Sequence, residues 1–369
     1  MLNVARLATF RLVSIRVTQY KISKRQKNSL DRFAQQLLDW YAHSGRKDLP
    51  WQHPREPYRV WLSEIMLQQT QVATVIPYFE KFLQRFPTII DLADAELDQV
   101  LRLWAGLGYY ARARNLHSAA IQIRDKFQGQ FPSSQEDLES LPGIGRSTAG
   151  AILAQAFSKR GVILDGNVRR VLCRYHGIDS PPQQAATQKE LWRIADSHTP
   201  NKKHADYAQA IMDLGATICA RRASCEMCPV KDGCVALAEN LQDKLPTKVV
   251  KKADKPIRNA HMLVFKNDLG EIFLEKRPPS GIWGGLFCPP VIYFETAQEA
   301  SISGPDSLPL RRHSFSHFHL DFIPVLTDYK ESDRVLDSDL GLWYNLNSPV
   351  PGGLPAPVSR LFKELTAKQ

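Results

Sequence analysis

Nowhere do the 369 residues run apolar for the roughly 18 positions that a membrane-spanning helix requires, because charges interrupt the longest apolar stretches. A soluble chain is expected. Cysteine is scarce: there are six, four of them crowded into the sixteen positions Cys219 to Cys234, which excludes the dispersed disulfide framework of a small secreted protein. A reducing compartment and a metal site fit that crowding better. Internal repeats are absent, and acidic residues are missing from Met1 to Leu30, which carries seven cations (Arg6, Arg11, Arg16, Lys21, Lys24, Arg25 and Lys27). Subtracting those seven from the formal net charge of +10 leaves +3, so the remainder is only mildly basic and total charge says little about nucleic acid. Residues 1–28 read as a basic leader, expected to be a disordered arm or the product of an upstream start codon, with a mitochondrial presequence as the alternative.

What is present is a chain with 43% hydrophobic composition, enough for two domains. Over residues 29–238 apolar side chains recur at three and four, as in Phe33, Leu37, Leu38 and Tyr41, or Leu97, Val100, Leu101 and Trp104, which predicts an all-helical region. Pro50, Pro87, Gly106-Leu107-Gly108, Pro132 and Pro142-Gly143 divide it into short helices. Residues 239–258 turn lysine-rich around Pro246 and Pro256 and read as a linker. Residues 259–369 predict an α+β domain, with strands at His261–Phe265, Ile272–Glu275, Phe322–Leu326 and Leu342–Tyr344 and a helix near Val358–Leu365. His313, His317 and His319 alternate as on one strand; a single exposed face explains them better than a metal, since no cysteine or carboxylate completes a ligand set.

Three local patterns carry chemistry. Cys219, Cys225, Cys228 and Cys234 put four thiols in one loop after a helical pattern from His204 to Ile218; four thiolates suit zinc or an iron-sulfur cluster, and spacing alone leaves both open. Arg221, Arg222 and Lys231 in that loop meet phosphates or are simply solvated. Leu141-Pro142-Gly143-Ile144-Gly145-Arg146-Ser147 is a turn between helical segments whose glycines allow close approach of a ligand to the backbone. It is not a dinucleotide loop, because the glycine spacing differs and no strand precedes it. Ile163-Leu164-Asp165-Gly166-Asn167 then delivers an aspartate ahead of a basic helix, where it serves as an N-cap, a reacting group, or both. Finally, Trp61-Leu62-Ser63-Glu64-Ile65-Met66-Leu67 sets one carboxyl in an apolar helical run, where burial should raise its pKa enough to hold a proton near neutrality. Alone, Glu64 would pass for a surface glutamate.

Together the hairpin at Leu141 to Gly145, Asp165 and the cysteine loop resemble the helix-hairpin-helix DNA glycosylases of the endonuclease III superfamily. Leu49-Pro50-Trp51, Trp61 to Gln71, Gly106 to Asn115 and Ile163 to Leu172 narrow the resemblance to the MutY family of adenine DNA glycosylases, nearly throughout from Ser29 onward. The resemblance implies a helical glycosylase core with a [4Fe-4S] loop held by Cys219, Cys225, Cys228 and Cys234, followed by a Nudix-like domain. It implies a monomer that acts on duplex DNA carrying adenine opposite 8-oxoguanine or guanine. Glu64 would protonate the leaving adenine at N7 and Asp165 would stabilise the oxocarbenium ion, assisted by Asn167 and Ser147. Arg46, Trp51 and Gln209 match positions lining the adenine pocket, Gln69 and Tyr109 match residues entering the base stack, and Gly143 and Gly145 would meet the backbone. For Tyr109, a buried aromatic beside Tyr110 is the plainer alternative.

Members that also cut the strand carry a lysine at the position of Ser147, so the serine implies a monofunctional hydrolase. In the second domain Lys276-Arg277-Pro278-Pro279-Ser280-Gly281-Ile282-Trp283-Gly284-Gly285-Leu286 carries the likeness, and Tyr293 to Glu299 lacks the glutamate pattern of a nucleotide-hydrolysing Nudix box. Phe315, Ser316 and His317 match the loop that recognises 8-oxoguanine. One departure is the first cysteine gap, five residues here where the family usually has six. The rival readings are a bifunctional glycosylase and a non-catalytic iron-sulfur DNA-binding protein. A cytoplasmic, nucleoid-associated enzyme is expected, or a mitochondrial or nuclear one if the leader is a presequence.

Overall fold

The computed structural model describes residues 31–248, 254–295, 306–328, 341–349 and 352–367. The basic leader lies outside the described residues, as do residues 249–253 of the lysine-rich stretch and Thr296 to Glu299. No helix among the described residues is long and apolar enough to cross a membrane.

The helical periodicity resolves into two packed lobes. The first is built from helices between Pro57 and Phe157 around Trp61, Phe79, Phe82, Phe86, Trp104 and Ile152. The second is discontinuous: helix Arg32–Ser44 supplies Phe33, Leu37 and Leu38 to a core otherwise formed by Ala151, Ala154 and residues 163–230. That closure is invisible to local patterning, since the apolar stripe of Arg32–Ser44 does not say which distant helix it covers; it packs on His204–Asp213. Helix Arg146–Phe157 belongs to both lobes, turning Ala149, Ile152 and Leu153 to the first and Ala151 and Ala154 to the second.

Such a shared helix must let the chain pass close on both sides. Gly150 does so: a Cβ there would fall on the Val162 carbonyl oxygen, a backbone atom that cannot swing away. The contact sets the position of Gly161 to Asp165, the segment that carries the aspartate. Gly150→Ala is expected to cost about 1 to 3 kcal/mol of folding stability by forced overpacking, measured by chemical denaturation. A variant as stable as the parent would show that the segment has freedom to move.

The second domain is a mixed seven-stranded sheet. Strand Ile257–Lys266 runs parallel to His319–Asp328 from Ile257 opposite His319 to Lys266 opposite Asp328, and antiparallel to Val291–Phe294. Ile272–Lys276 pairs with Phe287–Cys288 and Gly341–Tyr344, and Arg311–Ser314 forms the far edge. Helix Ala356–Thr366 lays Val358, Leu361 and Phe362 on the sheet core. Each of the four expected strands is present in a form as long as or longer than its apolar run. The three histidines do not share a strand: His313 is on Arg311–Ser314, His319 opens His319–Asp328, and His317 occupies the turn between them. Their alternation is that of a hairpin.

The domains touch through specific groups. Arg114 donates to the Gly284 carbonyl at 2.7 Å, Tyr110 to that of Leu354 at 3.0 Å, and Lys276 pairs with Asp98 at 2.7 Å. Leu286 lies in the core of the first lobe. Within the stretch read as a linker, Leu245 is 4% exposed and its carbonyl accepts from Arg174 at 3.0 Å.

Candidate active site and nucleic-acid interface

Glu64 lies near the end of helix Pro57–Leu67, which packs on the shared helix Arg146–Phe157. Gln155 of that helix donates to Glu64 Oε1 at 3.1 Å. The residue is half-buried as a whole, but protein crowds its carboxyl, and this loss of hydration, together with the nearby Asp165 charge, pushes its pKa up to about 7. The Gln155 hydrogen bond acts in the opposite sense and is outweighed. A carboxylic acid that holds its proton near neutrality is a general acid in waiting.

Asp165 caps helix Gly166–Tyr175, accepting from the Val168 amide at 2.8 Å. Burial raises its pKa; the Val168 and Asn167 amides and the Arg170 and Arg169 cations oppose that rise. The N-cap role is therefore present, and the same carboxylate bears electrostatically on Glu64. Ser147, in the first turn of the shared helix, accepts from the Leu164 amide at 2.9 Å and so ties the aspartate's segment to that helix. Asn167 accepts from Arg170 at 2.8 Å, and Gly215 packs directly on its Cβ. Arg170 also donates to the Gly215 carbonyl at 2.5 Å and to that of Cys219 at 2.8 Å. One helix thus carries the aspartate at its start and joins the cysteine loop along its length.

The residues expected to line a base pocket divide. Arg46 and Gln209 converge on Asp213, which is 1% exposed: Arg46 Nη2 lies 2.6 Å and Gln209 Nε2 2.8 Å from its Oδ1. Trp51 is apart from them, 3% exposed and edge-on to Phe79 with ring centroids 5.4 Å apart. In the structure Trp51 is a core residue. Asp213 and Gln155 are both groups that sequence reasoning missed. Each had a signal: Asp213 is the one charged residue in the helical run Tyr207 to Leu214, and Gln155 the one polar residue in Ala149 to Ala156.

Gln69 and Tyr109 sit at the tips of two turns, both with positive φ (59° and 49°), and Tyr109 is 54% exposed, which removes the buried-aromatic alternative. Beneath them is Arg112, another residue missed. Its guanidinium donates to the carbonyls of Ile65, Met66 and Gln68 at 2.7 to 3.0 Å and of Leu107 and Gly108 at 3.2 Å, and to Thr70 Oγ1 at 3.1 Å. It also lies 5.6 Å from the Tyr109 ring centroid. One cation therefore fastens both turns to the end of the Glu64 helix. The signal was an arginine on the face that buries Leu116, Ala119 and Ile123. The hairpin stands beside these turns: Gly143, at φ 80°, accepts from Gln68 at 3.4 Å, and nothing lies within 4 Å of a Cβ placed at Gly145. Its backbone is open to a ligand.

In the second domain Phe315 stacks on Phe318 with centroids 4.5 Å apart, and Lys255 donates to its carbonyl at 2.7 Å. Ser316 and His317 project exposed, hydrogen-bonded to each other at 3.1 Å.

All four loop cysteines are free thiols bordering one cavity, walled by Ile218, Ala236 and Leu237. Among the described residues no three or more His, Cys, Asp or Glu side chains already stand in metal-holding geometry. The donor set nevertheless fits a thiolate-bound metal centre. Burial and the neighbouring thiols of Cys219, Cys234 and Cys225 push Cys228 up to about 11, a repulsion that a bound cation would reverse. Arg174 donates to Cys219 Sγ at 3.4 Å and to the Ala220 carbonyl at 2.7 Å, holding the start of the loop against the helix that Asp165 caps.

Comparison with known proteins agrees with this architecture. Residues 62–197 match the family described as HhH-GPD superfamily base excision DNA repair protein, and residues 260–364 match the NUDIX domain. Adenine DNA glycosylase of Buchnera aphidicola subsp. Baizongia pistaciae is 41% identical over 343 residues, spanning 90% of this chain and 96% of the relative. Human adenine DNA glycosylase is 43% identical over 223 residues, spanning 58% of this chain and 41% of the relative. Among solved structures, a thermostable thymine-DNA glycosylase matches with a TM-score of 0.52 and 29% identity, over 56% of this chain and 95% of its own.

Proposed function

The chain belongs to the adenine DNA glycosylases, and we propose that it hydrolyses the N-glycosidic bond of adenine opposite 8-oxoguanine or guanine in duplex DNA, leaving an abasic site. The observation that carries this reading is the carboxyl pair: Glu64, poised to hold a proton near pH 7, beside an Asp165 that burial and the N-cap keep in place. With Oε1 engaged by Gln155, the Glu64 proton is available from Oε2 to the ring nitrogen N7 of the leaving adenine. Protonation turns the base into a neutral leaving group as the bond to the sugar breaks. The positive charge that develops on the sugar is met by Asp165, and water completes the hydrolysis. Ser147 has no amine to attack the sugar, and its hydroxyl is occupied by the Leu164 amide, so no covalent enzyme intermediate forms there. Both carboxyls come from one chain, and a monomer suffices.

Extruding the adenine costs a few kcal/mol. Tyr109, exposed and stiffened by Arg112, can recover roughly 1 to 3 kcal/mol by stacking. Gln69 enters the stack from the neighbouring turn, while Arg46 and Gln209 border the space for the extruded base, with Trp51 packed in the core behind. The Phe315-Ser316-His317 turn reads 8-oxoguanine on the other strand. Cys219, Cys225, Cys228 and Cys234 hold the [4Fe-4S] cluster, whose contribution when bound is structural, fixing the loop against Arg170 and Arg174.

Incubation with duplexes carrying adenine opposite 8-oxoguanine tests the reading. Strand breaks should appear only after hot alkali, and the same preparation should absorb visible light through sulfur-to-iron charge transfer. Breaks before alkali would establish a strand-cutting enzyme instead, and no breaks at all would leave a binding protein.

A further inference from the structure

A groove outside this site lies where the start of helix Arg146–Phe157 meets helix Ala185–His198, lined by Arg146, Gln188, Lys189, Trp192, Arg193 and Asp196. Its charges are not equivalent. Arg193 is committed to Glu190 at 2.6 Å, and Asp196 is neutralised by Arg160 at 2.8 Å. Arg146 and Lys189 have no carboxylate partner among the described residues, and both side chains are exposed. The groove therefore presents two uncompensated positive charges.

Arg146 is also preorganised. Its guanidinium carbon stands 4.0 Å from the centroid of the Trp192 ring. A guanidinium stacked by its face keeps its in-plane N–H donors free, which is the geometry that meets a phosphate in a forked pair. Lys189 precedes Trp192 by three positions, so the two lie on one face of their helix. Arg146 directly follows Gly145, placing the stacked cation beside the open backbone of the hairpin.

We propose that this groove is a second phosphodiester site, in which Arg146, held by Trp192, and then Lys189 take successive backbone phosphates of the strand engaged at the hairpin. The inference rests on the reading of the chain as a duplex-DNA enzyme. It extends the contact surface past the glycines onto helix Ala185–His198, which reads no base and adds affinity for any sequence.

The test is the salt dependence of binding by the full chain. Each phosphate neutralised contributes about −0.9 to the slope of log K against log salt. Joint replacement Arg146→Ala and Lys189→Ala should make the slope shallower by roughly 1.8 and weaken undamaged and adenine-mispaired duplexes by the same factor, about tenfold at moderate salt. Arg146→Lys, with Lys189 intact, should keep the wild-type slope. Methylphosphonate linkages walked along the strand should include positions that weaken the wild type and leave the double variant unaffected. An unchanged slope in the double variant, or weaker binding without a change of slope, overturns the proposal. A wild type that binds duplex but releases no adenine overturns the parent reading instead, and the slopes still decide the groove.

Discussion

Replacement Glu64→Gln is expected to lower single-turnover adenine release by about a thousandfold or more, at the upper part of the range for loss of a positioned acid, with duplex binding retained. Glutamine has the size of glutamate and still reaches Gln155, so the loss isolates the proton. In the wild type the acid must be protonated to work. With the pKa pushed up to about 7, the rate should be full on the acid side of that value and fall tenfold per pH unit above it. Stability follows the same group. In the unfolded chain Glu64 returns to its ordinary 4.5, so folding favours the protonated form. That favour is fully present below pH 4.5 and lost as pH rises to about 7, a swing of roughly 3 kcal/mol. Glu64→Gln should therefore melt higher than the wild type at pH 8, with the gap closing toward pH 4. Equal cleavage by the two proteins would remove Glu64 from the mechanism, and equal melting at both pH values would remove the buried carboxyl.

Much of this was legible in the sequence because local chemistry determined it. The helices of the core announced themselves by stripes at three and four, and Glu64 by being the carboxyl in the run Trp61 to Leu67. The hairpin was legible because proline and two glycines leave the backbone few alternatives. What was not legible depends on contacts distant in sequence. Gln155 matters because it meets Glu64, 91 positions away, and Asp213 because it meets Arg46, 167 positions away. Arg112 reads as one of two cations in Ala-Arg-Ala-Arg-Asn until the two turns that it binds are folded around it. The strand Phe287–Cys288 escaped notice because it is two residues long, too short for alternation to register. The histidine alternation misled for a related reason: a tight turn between two paired strands preserves period two in sequence while reversing the chain.

Replacement Asp165→Asn separates the two roles that this residue combines. An asparagine oxygen accepts the Val168 amide as an aspartate oxygen does, and the two residues are near equals as N-caps. Folding stability should stay within about 1 kcal/mol of the wild type, while adenine release falls by about a hundredfold to a thousandfold, as expected when a preorganised charge opposite a developing cation is removed. The variant also predicts a shift that a pure cap could not produce. After burial, the Asp165 charge is the main cause of the raised pKa of Glu64, so its removal should move the alkaline limb of the residual rate to lower pH. Glu64 then gives up its proton more readily at neutral pH, and the loss of rate should be smaller at pH 5 than at pH 7. A variant that keeps both the rate and the position of that limb would reduce Asp165 to a helix cap. A variant that loses rate with the limb unmoved would place the charge opposite the sugar but too far from Glu64 to govern its proton. The observed arrangement, one short segment tied by Ser147 and Gly150 to the helix that also holds Gln155, predicts that both change together.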